Sequence, residues 1–232
     1  MSETSRESVA NCPSSGRQTR QGNRSEKICS LLFTRRAMMA DHSKEKAEWL
    51  RKVRDEIRPA YARLLSSGRL ILQCDDGSEV AIRFTKSAFA HLCGFEYYMD
   101  SHKERRARQS DFYDDIVRRN FTAKRADYTH RHNDRNTSYE KRRNHTKSKL
   151  DIAGEAFNHV AGAAYVMESA KSGLILFAGD ERWALGLSEQ VNKKDERTGD
   201  YIPASLVNES VLSESIHRRG TRVRSVVSAR WE

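Results

Sequence analysis

At 232 residues the chain has room for one domain of ordinary size with flexible extensions, and too little for two full ones. Hydrophobic residues make up 37% and charged residues 32%, so a core can form only where the polar residues are segregated from it. The net charge of +10 points to a polyanionic partner, and no window approaches the roughly 18–20 apolar residues of a membrane span, which excludes a membrane-spanning helix.

Residues 1–40 carry Ser, Arg, Asn and Gln without a sustained hydrophobic period and read as a disordered basic and polar tail; lacking the apolar stretch of a signal peptide, the chain is expected in the cytoplasm. Residues 41–232 are then expected to form a single domain. From Ala47 the apolar residues Leu50, Val53, Ile57, Tyr61 and Leu64 recur at helical spacing, with Asp41 or Ser43 to cap the start, Gly68 to stop the helix and Pro59 to kink it. Two β-like segments, Leu70–Leu72 and Val80–Phe84, flank Asp75-Asp76-Gly77-Ser78, whose Asp-Gly pair is a hairpin signal. Phe89 and Leu92 predict a short helix over Ser87–Cys93, and Ser110 or Asp111 is placed to cap another through Phe112, Tyr113, Ile116 and Val117.

From Arg118 to Lys149 the chain is dominated by Arg, Lys, His and Asn and has the character of a basic insertion, after which Ala153, Phe157, Val160 and Ala164 restore helical spacing. The last third is strand-like: Leu174–Phe177, then Trp183, Leu185 and Leu187 in alternation, Tyr201-Ile202, and Val223 to Val227. The order predicts an α+β fold with N-terminal helices and a β-hairpin, then a strand-rich antiparallel sheet packed on helices over one face.

Cys12, Cys29, Cys74 and Cys93 are irregularly spaced with no Cys-x-x-Cys pair, so free thiols are expected and neither zinc nor another cofactor is implied. His130-Arg131-His132 with His145 lacks the carboxylate or cysteine frame of a metal site.

Three segments carry a resemblance: Ile82-Arg83-Phe84-Thr85-Lys86 running into Phe89-Ala90-His91-Leu92-Cys93-Gly94, the Phe112-Tyr113 helix, and Tyr201-Ile202-Pro203-Ala204-Ser205-Leu206. In this order they resemble the phage-encoded branch of the barnase, EndoU, colicin and RelE-like nucleases, of the fourth phage subfamily type. That family shows Phe-x-His-Leu-Thr-Gly at the second half of the first segment and Tyr-x-Pro-x-Ser at the last. Cys93 stands where Thr is usual, which removes a hydroxyl but leaves the His and the Gly.

The resemblance implies a metal-independent endoribonuclease of a phage or mobile element, a toxin or effector, in which the ribose 2′-hydroxyl attacks the neighbouring phosphate. RNA is then the partner, because DNA lacks that hydroxyl, and an antitoxin or immunity protein is a candidate second partner. His91 is the candidate general base or acid, with a packing histidine as the alternative reading. Lys86 or Arg83 is the candidate cation for the phosphorane, although either fits a solvated surface charge equally well. Ser205 is a candidate phosphate donor, and Tyr201 is a candidate to stack on a base or orient the histidine. Arg118, Arg119, Lys124, Arg125, Arg142, Arg143 and Lys149, interleaved with Phe121, Tyr128 and Tyr139, have the composition of a single-stranded RNA contact. The competing reading is a non-catalytic RNA- or DNA-binding protein of a phage or mobile element; a phage structural protein whose tail neutralises packaged nucleic acid is the third.

Overall fold

The computed structural model describes residues 42–129, 137–168, 175–192, 194, 196–217 and 221–232. The chain divides into two compact units, Met1–His42 and Ser43–Glu232, and the fold below is that of the second. The expected tail, Cys12, Cys29, Asp41, His130, Arg131, His132 and Leu174 lie outside the described residues.

The first helical face forms as its spacing requires, with Leu50, Val53, Ile57, Tyr61 and Leu64 all buried. Pro59 does not break it. Helix α1 (described over 42–52) passes through a π turn, Val53–Ile57, into α2 (Arg58–Ser66), and the Arg58 N–H donates to the Val53 carbonyl five residues back. A widened turn just before a proline lets the chain forgo the amide that proline lacks. Ser43 is already helical rather than a cap.

Strands β1 (Arg69–Cys74) and β2 (Glu79–Arg83) form the predicted hairpin, pairing antiparallel from Arg69–Arg83 to Gln73–Glu79. Its turn needs Gly77 at a φ of +81°, and Asp76 Oδ1 accepts the Ser78 amide at 2.9 Å. Helix α3 (Lys86–Leu92) leaves β2 directly. Strand β3 (Phe95–Tyr97), helix α4 (Asp111–Arg118) and strand β4 (Ala126–Tyr128) follow, with β3 and β4 forming a small antiparallel sheet of their own.

Helix α5 (Tyr139–His159) starts well before Ala153, capped by the Ser138 side chain, which accepts from the Lys141 amide. The basic run is therefore part of the domain: Ala126, Tyr128, Thr146 and Lys149 within it are all buried. Ala164 leads out of the helix, its amide donating to the Gly179 carbonyl, and β5 (Tyr165–Glu168) is a strand that no sequence signal singled out.

Strands β6 (Leu176–Gly179), β7 (Ala184–Val191), β8 (Arg197–Val207) and β9 (Val223–Trp231) complete the fold. The chain is α+β, and the sheet is more closed than expected: seven strands in the order β1-β2-β8-β7-β6-β5-β9 make a closed barrel. Every pairing is antiparallel except β2 with β8, where Ala81 faces Asp200 and Ile82 faces Tyr201. At Pro203 the register slips, since Leu187 pairs with Pro203 but Gly186 with Ser205, which makes Ala204 a bulge.

One large core joins the helices to the barrel. Tyr61 is its hub, with ring centroids 4.8 Å from Phe89, 5.0 Å from Phe157, 5.9 Å from Phe84 and 6.2 Å from Tyr113. The rings lock α2, α3, α4 and α5 to the end of β2. Met167, Phe177, Ala184, Val211 and Ile216 form a smaller cluster on the other face of β5, β6 and β7.

Candidate functional site

Helix α3 carries His91, the candidate general base or acid, and the helix entry is fixed from beneath. The Tyr61 hydroxyl donates to the carbonyl of Thr85, the residue before α3, at 2.7 Å, and Thr85 Oγ1 lies 2.9 Å from Ser87 Oγ. Phe89 and Leu92 anchor the helix in the core, while His91 in its last turn stays half-buried.

The exit from α3 is fixed by α5. Lys149 Nζ donates to the His91 carbonyl at 2.8 Å, and Thr146 Oγ1 donates to the Gly94 carbonyl at 2.7 Å. The Gly94 amide also donates to the His91 carbonyl, at 3.0 Å. Gly94 has a φ of +79°, a conformation that suits glycine. Cys93, between these anchors, is wholly buried, so a hydroxyl at that position would face the interior rather than a substrate. Burial pushes its thiol above the usual range and pulls Lys149 down to about 8, with the neighbouring Cys93 acting to raise the lysine.

Arg83, Lys86 and His91 come from one continuous segment, and their side chains separate. Lys86 Nζ donates to Asp114 Oδ1 on α4 at 2.8 Å and lies 5.7 Å from the centre of the Tyr113 ring. Arg83 Nε donates to Asp200 Oδ2 at 3.0 Å, and Arg69 holds the other carboxylate oxygen at 3.1 Å. Ile82 and its partner Tyr201 pack on the main core, as do Phe89 and Leu92, whereas Asp200 precedes Tyr201 in the strand and faces the other way. Arg83 thus lies on the face of the sheet turned away from the main core. Tyr201, half-buried on β8, is on the face that α3 packs against. Ser205 lies beyond the bulge, opposite Gly186.

The basic residues divide into two sets. Arg118, Arg119 and Lys124 are exposed around the end of α4, with Arg119 left-handed at a φ of 59°. Arg125, Arg142, Arg143 and Lys149 are folded into the domain instead. Arg125 bonds Asp115 at 2.9 Å and covers the Tyr97 ring, Arg142 lies 3.9 Å from Asp127, and Arg143 makes a bidentate pair with Glu45. Lys149, at 2% exposure, is withdrawn from any polyanion at the surface.

Thr146, Asp114 and Asp200 are not among the residues expected from the sequence, and Lys149, expected to contact RNA, is buried. One signal was present: Thr146, Lys149, Leu150, Ala153, Ala156, Phe157 and Val160 follow a helical period, with two polar residues standing in apolar places.

A model of the family described as phage-Barnase-EndoU-ColicinE5/D-RelE like nuclease4 matches residues 56–197. The match contains α3, the His91–Gly94 turn, α4 and α5, and ends before Tyr201. No curated protein and no solved structure gives a match.

Proposed function

Since the chain belongs to the phage-Barnase-EndoU-ColicinE5/D-RelE like nuclease4 family and so carries a nuclease-family domain, we propose that it is an endoribonuclease of a phage or mobile element that acts in the cytoplasm without a metal ion. The ribose 2′-oxygen bonds to phosphorus, the bond to the 5′-oxygen breaks, and the products are a cyclic phosphate and a 5′-hydroxyl. The 2′-hydroxyl proton must be removed and a proton delivered to the leaving oxygen. His91 carries this proton transfer. Lys86, about half exposed beside Asp114, turns to the phosphorane charge when RNA is bound. Tyr201 orients a base or the imidazole, and the exposed Arg118, Arg119 and Lys124 hold the backbone. An antitoxin or immunity protein is the partner expected to restrain such an enzyme.

The observation that carries the reading is the packing of α3 on β8, which sets the helix of the family's histidine motif beside the strand of Tyr201. The test is incubation of wild-type and His91→Ala protein with total RNA in EDTA, reading fragments and their ends. Cuts ending in cyclic phosphates that vanish with His91→Ala support the proposal. RNA that stays intact with both proteins yet is bound at low salt makes the chain a binding protein on a nuclease scaffold.

A further inference from the structure

Lys149 is a buried lysine that donates a hydrogen bond to the backbone carbonyl of His91, the residue proposed to carry the proton transfer. Placing an ammonium where water is excluded is costly, and a hydrophobic residue of similar length would fill the space without that cost. A cost of this kind points to position rather than to packing. The lysine meets the His91 carbonyl in the last turn of α3, beside the Gly94 amide, at the helix end where a cation is favoured. One helical turn away on α5, Thr146 grips the Gly94 carbonyl, and its Cα stands where any side chain on Gly94 would collide, 2.9 Å from an ideal Cβ. The Thr129 amide reaches the same carbonyl at 2.9 Å. The two α5 side chains therefore hold both ends of the turn His91–Gly94, while Tyr61 holds the start of α3 at Thr85.

We propose that Lys149 and Thr146 are positioning residues: they clamp the His91–Gly94 turn to α5 and thereby set the place of the His91 imidazole. Neither touches RNA. The inference rests on the ribonuclease reading for its catalytic consequence, but the position of the imidazole can be read without any reaction. Holding a reacting group a fraction of an ångström from its productive place lowers turnover more than binding.

The test compares Lys149→Met, Thr146→Val and Thr146→Ser with wild type and His91→Ala. Single-site cleavage of an RNA oligonucleotide in EDTA supplies kcat and KM, and the imidazole Cε1–H resonances supply the second readout, with His91 assigned from its loss in His91→Ala. The expected result is a fall in kcat of about tenfold or more in Lys149→Met and Thr146→Val with KM within about twofold, and recovery in Thr146→Ser, which keeps the hydroxyl. The His91 resonance should shift or broaden in the first two variants while those of His102, His159 and His217 stay in place. Should Lys149→Met not fold, the Thr146 pair decides by the same criteria. An unmoved His91 resonance in folded Lys149→Met or Thr146→Val overturns the clamp, as does unchanged kcat in those variants alongside loss in His91→Ala. Intact RNA with the wild-type protein defeats the ribonuclease reading instead, and the resonances then decide the clamp alone.

Discussion

Gly94 and Thr146 approach so closely that a β-carbon on the glycine would sit 2.9 Å from the threonine Cα and 3.1 Å from its hydroxyl oxygen. The left-handed backbone of Gly94 adds a second objection to any side chain there. Gly94→Ala is expected to lose about 2–4 kcal/mol in urea unfolding, more than strain alone would remove. A loss under about 1 kcal/mol would mean that α5 yields at this contact.

Asp200 is buried between two guanidinium groups that are themselves 39% and 52% exposed. Asp200→Ala leaves Arg69 and Arg83 without their shared carboxylate and is expected to cost about 1–3 kcal/mol. Arg83→Ala removes only a solvent-screened partner and should cost under about 1 kcal/mol. Because Arg83 lies on the face turned away from the main core, its replacement should leave the cleavage rate within about threefold, whereas Lys86→Ala should lower it by about a hundredfold. Steady-state kinetics on both variants checks the assignment.

The exposed set Arg118, Arg119 and Lys124 predicts a salt effect. Changing all three to Gln should reduce the slope of log affinity against log salt by about 2 for single-stranded RNA, measured in the His91→Ala background, which the proposed role of His91 makes unable to cut the RNA. Arg125→Gln should instead destabilise the fold, because its guanidinium joins Asp115 and covers Tyr97.

Lys149 predicts a pH dependence of stability. With its folded value lowered to about 8 against an ordinary 10.5, the native state releases this proton first as pH rises. Between those values the unfolded chain binds more protons, so unfolding free energy rises with pH, by at most about 1.4 kcal/mol per unit. Below about 8 the full burial penalty is present. The Cys93 thiol, held up by burial, works the other way, since the unfolded thiol ionises first. Urea unfolding in a Cys93→Ala background should therefore show the rise across about pH 8 to 10, and Lys149→Met in the same background should reduce it, leaving the smaller contribution of Lys46, whose burial also lowers its pKa.

How much of this was legible in the sequence follows from where each signal resides. The β1–β2 hairpin and α3 were legible because their signals are local: an Asp-Gly turn between two short apolar β-like segments, and Phe89 and Leu92 three residues apart. The first half of α5 was hidden because its buried positions include Thr146 and Lys149, whose polarity breaks the apolar pattern that betrays a helix face. β4 was hidden because two buried residues, Ala126 and Tyr128, sit among cations. Closure of the barrel was illegible for another reason: the pairing of β2 with β8 joins residues such as Ile82 and Tyr201 that are remote in sequence. The same remoteness concealed Asp200, which pairs with Arg83 on the face away from the main core.

Strand β9 pairs with β1 on one side and β5 on the other. During synthesis it is the last strand of the barrel to be made, so the nascent chain carries two open strand edges until Val223–Trp231 has emerged. Ring closure then joins Leu70 to Trp231 across almost the whole domain, so the entropy of closing a long loop falls on the last strand made.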